Sequence, residues 1–276
     1  MKIIIAPSKT MKPQKVDIKT QNILFTEENN YLKNILKSYN DEEIMSFMKI
    51  SYKQATKVIE YFHSCGVYPA LYLYSGTVFK QLELHNYKEK EHEYLRKHLN
   101  IMSAYYGVLN YNSAISPYRL DMTMKPNNTN LYDYWYTPIY QYFENEDFII
   151  SLASKEFTTM IKHPHLYFVD FVEIKNDKEV RNSMIIKKLR GKMLNYMILH
   201  NISTLDEFCR ENMPRAAILC VPKDASKEIC EQLIKLGVKG FLNFSHYDIA
   251  LEHPGVEVEN IHFGDSLMRL SYKLSN

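Results

Sequence analysis

The chain of 276 residues carries 34 Lys and Arg against 32 Asp and Glu, a formal net charge of +2. That near-balance excludes a polyanion binder that works by bulk charge, so any nucleic-acid surface must be local. A 46% hydrophobic content suffices for a sizeable core, and no run approaches the roughly 20 apolar residues of a membrane span, so a soluble cytoplasmic protein with no membrane partner is expected.

The first element in chain order is a short buried strand over residues 2–6, closed by Pro7. Helical periodicity follows over residues 26–39, 41–48 and 52–63. "ALYLYSGTVF" alternates like a strand broken at Gly76, where a bend or a close backbone approach is expected. Residues 147–153 have the pattern of a buried strand, and residues 165–174 that of a long one before a turn at Asn176 and Asp177. In "EVRNSMIIKKLRGKMLNYMI", Gly191 interrupts a helical pattern.

Twenty of the 22 tyrosines precede residue 210, whereas four of the eight glycines follow residue 236. This shift in composition places a boundary near Leu205, giving domains 1–204 and 205–276. The second begins with a strand in "AAILCVP", an amphipathic helix ending at Gly237 and a strand in "VKGFLNFS". That order is a βαβ unit with parallel pairing. "VEVENIHF" and "DSLMRLSYKL" add a strand and a terminal helix. The expected class is therefore α+β, or mixed α/β, followed by a half-Rossmann βαβ unit.

The four cysteines form no CxxC pair and have no histidine partner spacing, which predicts reduced thiols and no metal ligand set. No cofactor is expected. His163 and His165 flank a turn, and His92 and His98 are too far apart to share a helix face.

Several stretches carry candidate chemistry. The two helical runs around Lys49, Ile50 and Ser51 would expose free amides at the start of the second helix to a phosphate, with Ser51 as cap and Lys53 in the first turn. The corner lacks the usual glycine, so pattern alone favours an ordinary helical hairpin. Arg181, Lys187, Lys188, Arg190 and Lys192 form a basic run. A solvated face explains most such runs, but a glycine inside this one suggests close approach of another group, with an anion the obvious candidate. "PSKT" places Ser8 and Lys9 at a strand end, where open α/β sheets bind ligands, although a surface lysine is equally consistent. "SLASKEF" places Ser154 and Glu156 beyond another strand. Glu156 is either a base or positioning carboxylate, or an ordinary acidic residue at a helix start. No catalytic residue is assigned.

The ordered segments "IIIAPSKT", "YSGTVF", "MSAYYGVLN", "SPYRLDM", "LYDYW", "IISLASKEF" and "KKLRGKML" resemble the YaaA-type peroxide-stress proteins over residues 1 to about 201. The resemblance implies protection against hydrogen peroxide, limitation of iron-linked damage, and non-sequence-specific DNA binding through a helix-hairpin-helix at residues 49–55 beside a basic cleft. It carries Lys9, Arg119, Lys187 and Arg190 into that cleft, with Ser8, Tyr106, Tyr118, Ser154 and Glu156 as further anionic-ligand residues. A structural pair of Arg119 with Asp121 or Glu156 is the alternative. Thr77, Asn110, Tyr111, Ser113 and Ser151 depart from the family pattern and remove acids and an amide, so no hydrolytic reaction is implied. The tail, residues 205–274, resembles the C-terminal half of Rex redox-sensing repressors, which implies a dimer through the terminal helix. No GxGxxG occurs in the chain, so an NADH-linked regulator is the third reading, behind an enzyme acting on an anionic, nucleotide-like small molecule in the Arg119 cleft.

Overall fold

The structure, a computed structural model, describes residues 1–171, 173–175, 178–219, 221, 223–245 and 247–261. The chain divides into two compact units, Met1–Asn201 and Ile202–Asn276.

In the first unit, β1 (Lys2–Ile5) buries Ile3, Ile4 and Ile5 completely. Three helices follow: α1 (Thr26–Ser38), α2 (Asp41–Met48) and α3 (Tyr52–His63). Their apolar residues recur at helical spacing, so Leu32, Leu36, Ile44, Val58 and Phe62 all face the core. A short strand β2 (Tyr68–Pro69) leads into a single turn of helix, α4 (Ala70–Leu73), and a 3-10 turn at Phe79–Gln81. The alternating strand expected here does not form. Ala70 to Tyr74 are buried without interruption, so the apolar run fills the core from every side and its two-residue period carries no strand information.

Helix α5 (Glu89–His98) passes directly into β3 (Leu99–Ser103), which turns back into β4 (Gly107–Asn110) and then β5 (Ala114–Ile115). Gly107 has φ +73°, and a Cβ there would stand 2.6 Å from the Trp135 ring, so the tight β3–β4 return requires glycine twice over. Helix α6 (Leu131–Phe143) supplies that ring, and the Trp135 indole donates to the Ala104 carbonyl at 2.8 Å. Next come β6 (Ile149–Ser151), the short helix α7 (Lys155–Thr158), β7 (Leu166–Phe168), the hairpin strands β8 (Glu173–Lys175) and β9 (Lys178–Val180), and α8 (Ser183–Leu199). The single long strand expected over residues 165–174 is thus two short ones on different sheets. The turn residues Asn176 and Asp177 lie outside the described residues.

Among the described residues, the main sheet has the order β4-β3-β1-β6-β7, with β1 parallel to both β3 and β6, β6 parallel to β7, and β4 antiparallel. Gly191 does not interrupt α8. The helix runs through it because the glycine lies against the Val78 carbonyl and the Gln81 side chain, so the close neighbour is protein rather than an anion.

The second unit has α9 (Leu205–Asn212), β10 (Ala216–Leu219), α10 (Lys223–Lys235), β11 (Gly240–Asn243), α11 (Ile249–Glu252) and β12 (Glu257–Asn260). The three strands pair in parallel in the order β10-β11-β12. Gly237, φ +94°, turns the chain out of α10. Cys209, Cys230, Leu233 and Phe241 form part of a separate small core. Cys209 and Cys230 are buried free thiols, whereas Cys65 is exposed. Cys220 and the terminal helix expected at residues 265–274 lie outside the described residues. The chain is a mixed α/β protein with parallel sheet elements, and none of its described helices is long and apolar enough to cross a membrane.

Candidate functional site

Because β1 and β6 are parallel neighbours, the loops that leave their C-terminal ends emerge side by side. Pro7, Ser8 and Lys9 leave β1, and Glu156 and Phe157 belong to α7 just after β6. All five line one cleft together with Met11, Tyr118, Arg119, Leu120 and Asp121. The cleft opens to solvent and encloses about 420 Å³, mouth included. Its position, outside the carboxyl ends of parallel strands, is where ligand sites of open α/β sheets form.

Each wall is fixed by local physics. The β1 loop is clipped to the end of α4 and the residues just after it by backbone bonds from Lys12 to Leu73 and from Ser75 to Thr10, both 2.9 Å. A Cβ on Gly76 would lie 2.3 Å from Ser8 Oγ, so glycine there lets the two segments close on each other. On the β6 side, the buried Ser151 and Thr158 hydroxyls share a 2.6 Å hydrogen bond that ties α7 back to its strand.

The third wall is the segment Pro117 to Asp121, which belongs to no helix or strand. Its side chains alternate: Tyr118 and Leu120 are buried, and Arg119 and Asp121 are half-buried along the cleft. Tyr118 anchors the segment, with its hydroxyl 2.8 Å from the Tyr74 hydroxyl and 2.7 Å from Ser103 Oγ. Ser103 Oγ also accepts from the amides of Tyr105 and Tyr106 at 3.2 and 3.1 Å. The Tyr118 ring stacks on Tyr105, with centroids 5.2 Å apart and planes 25° apart, and meets Tyr106 edge-on at 5.1 Å. Burial pushes the Tyr118 phenol up to about 12 and that of Tyr74 well above its ordinary value.

The charges in the cleft are arranged unevenly. Lys9 Nζ reaches Asp121 Oδ2 at 2.6 Å, so the carboxylate pairs with the lysine and not with its near neighbour Arg119. Arg119 Nε is buried and has no hydrogen-bond partner. Among the described residues, no group of three His, Cys, Asp or Glu side chains is placed to hold a metal ion.

Of the residues the sequence singled out, Ser8, Lys9, Tyr118, Arg119 and Glu156 meet at this cleft. Tyr106 instead lines a smaller pocket with Asn29, Lys33, Tyr61 and Pro117, behind the tyrosine wall. Ser154 precedes α7 and is absent from the cleft lining. Lys187 is exposed on α8 and Arg190 is buried there at 8% exposure, and neither lines the cleft. Burial pulls the Arg190 guanidinium below its ordinary pKa, opposed by Asp170 4.0 Å away, and the Phe168 ring lies 5.7 Å from it. The sequence reading missed the Lys9–Asp121 pair, which spans 112 residues. Its one local signal was the two-residue period that puts Asp121 on the same side as Arg119.

Lys49, Ser51 and Lys53 are all exposed at the corner between α2 and α3. Lys49 ends α2 in the left-handed conformation, φ 52°, the place where glycine is usual. The chain turns there, and Gln54 Oε1 accepts from the Ser51 amide at 3.2 Å to start α3. The amides of Tyr52 and Lys53, in the first turn of α3, have no carbonyl within the helix to bond. Thr56 Oγ1 donates to Asp41 at 2.9 Å and holds α3 to α2.

Comparison with known proteins places this geometry in a family. Residues 1–213 match the family described as "Peroxide stress protein YaaA". The UPF0246 protein of Fusobacterium nucleatum is 33% identical over 224 residues, 76% of this chain and 90% of the relative. Those of Finegoldia magna (35%, 75% of this chain and 88% of the relative) and Rickettsia felis (30%, 82% and 96%) match similarly. Among solved structures, the Rex-family repressor RSP aligns over 89% of this chain and 88% of its own at 17% identity, but its TM-score of 0.24 is too low to bear on the fold. On residues 1–213, the chain belongs to the YaaA peroxide-stress family, UPF0246.

Proposed function

We propose that the protein acts in the cytoplasm in the peroxide-stress response, binding DNA through the phosphate backbone and limiting iron-linked oxidative damage. The observation that carries the DNA part is the α2–α3 corner. Lys49 in its left-handed turn, Ser51 and Lys53 are all exposed around the first-turn amides of α3. Such a corner offers a phosphate free N–H groups and two flanking ammonium groups, and nothing in it reads base sequence. Family membership supports the stress context.

The test is fluorescence anisotropy of a labelled short duplex across a salt series, with the wild type and a Lys49→Ala/Lys53→Ala double variant. Binding is expected to weaken steeply with salt, and the variant to lose about one to two units of the log–log slope. Absence of binding at low salt, or a variant indistinguishable from wild type, overturns the reading.

A second reading, a small-molecule site in the Arg119 cleft, is favoured by the buried, unpartnered Arg119 Nε. The second unit, with its parallel β10–α10–β11 arrangement, is proposed as a Rex-like half-Rossmann appendage that pairs two copies of the chain.

A further inference from the structure

The cleft around Arg119 is balanced in charge. It is lined by two cations, Lys9 and Arg119, and two carboxylates, Asp121 and Glu156. Lys9 and Asp121 satisfy each other at 2.6 Å, which leaves one cation and one carboxylate. Arg119 has a buried Nε without a hydrogen-bond partner, although nearly all buried polar groups in folded proteins find one. Glu156 is half-buried and forms no ion pair among the described residues. A plain anion entering here meets Glu156 as well as Arg119, and a plain amine meets Arg119 as well as Glu156. Neither matches the two groups that remain free.

We propose that this cleft receives a small amphoteric ligand, one whose anionic group meets the Arg119 guanidinium and whose amino or ring N–H group meets the Glu156 carboxylate. The guanidinium fork suits a carboxylate or phosphate, and an ionised carboxylate is an acceptor only, so it selects a donor. Met11 and Phe157 line the same space and offer apolar contact for the carbon skeleton between the two groups. The Lys9–Asp121 pair adds no net charge to the cleft. The inference rests on reading the Arg119 cleft as a ligand site and is independent of DNA binding at the α2–α3 corner.

The experiment is isothermal titration of the full chain with ω-amino carboxylates of increasing length, from glycine to aminohexanoate. Fatty acids and alkylamines of matching length serve as single-group probes, and inorganic phosphate as a plain anion. At least one amino carboxylate is expected to bind about tenfold more tightly than either single-group probe of its length. Glu156→Gln should abolish that preference while leaving the binding of the matching fatty acid intact or stronger. Arg119→Lys, which keeps the charge and loses the fork, should weaken binding of both, and thermal melts of each variant report whether it is folded. If phosphate or the fatty acids bind as well as every amino carboxylate, the cleft is a ligand site but not an amphoteric one. If no probe binds, the amphoteric ligand and the cleft reading fall together.

Discussion

Gly191 lies against the backbone carbonyl of Val78, so closely that a Cβ at this position would stand 2.3 Å from the oxygen. The contact joins α8 to the 3-10 turn after α4, and Asn195, one turn further along, accepts from the Glu83 amide at 3.0 Å. Gly191→Ala therefore gains helix propensity, about 1 kcal/mol, and forces backbone apart. Because the neighbour is a carbonyl rather than a flexible side chain, the overpacking cost sits near the upper end, about 3 kcal/mol. A net destabilisation of about 2 kcal/mol is expected from urea unfolding followed by Trp135, the chain's single tryptophan and a buried reporter of the first unit.

Ser103 is expected to be a costly position to truncate. Its Oγ accepts from two amides and bonds the Tyr118 hydroxyl, all in the buried core. Ser103→Ala leaves the two amides without a partner and the Tyr118 hydroxyl with only that of Tyr74, and should cost about 1–3 kcal/mol in the same unfolding assay.

Alkaline pH should unfold the first unit through its tyrosines. The Tyr118 phenol is raised from 10.0 to about 12, first by burial, and Tyr72 likewise to about 12. Below pH 10 the folded and unfolded chains both keep these protons, and the groups contribute no pH dependence. Above it the unfolded chain releases protons that the folded chain holds, so stability falls as pH rises from about 10 toward 12. Melting temperature across that range, read beside tyrosinate absorbance, checks this. A flat profile with early tyrosinate formation contradicts it.

Asp121→Asn should separate the stability of the cleft from its charge. The Lys9 side chain is 67% exposed, so its ion pair contributes no more than about 1 kcal/mol and the melting temperature should hardly move. Releasing Lys9 leaves the cleft with a net positive charge, and inorganic phosphate should bind more tightly than to wild type by titration calorimetry at low salt. The gain should vanish as salt is raised.

Local patterning located what local forces decide. Helices α1, α2 and α3 were legible from apolar spacing, and the parallel β10–β11 pairing from the strand–helix–strand order. Patterning failed where burial is all-round, as from Ala70 to Tyr74, and where one apolar run served two sheets, as in β7 and β8. The same division holds for the cleft. Lys9 and Glu156 were legible because both follow strands, whereas Arg119 was placed by the family resemblance, since its segment belongs to no helix or strand that a periodicity could announce. The Lys9–Asp121 pair depends on tertiary closure, and the basic run on α8 carries no sign of its own that Lys187, Lys188 and Lys192 face solvent while Arg190 is buried.

The place of β1 in the middle of its sheet has a consequence for synthesis. Ile3 pairs with Leu99 on one side and Lys2 with Ile149 on the other, so β1 waits on the ribosome until β6 has been made before both its edges are covered. Contacts this distant in sequence delay folding. Until β6 emerges, the three consecutive isoleucines of β1 have an uncovered edge, and unpaired strand edges of this kind expose a nascent chain to aggregation.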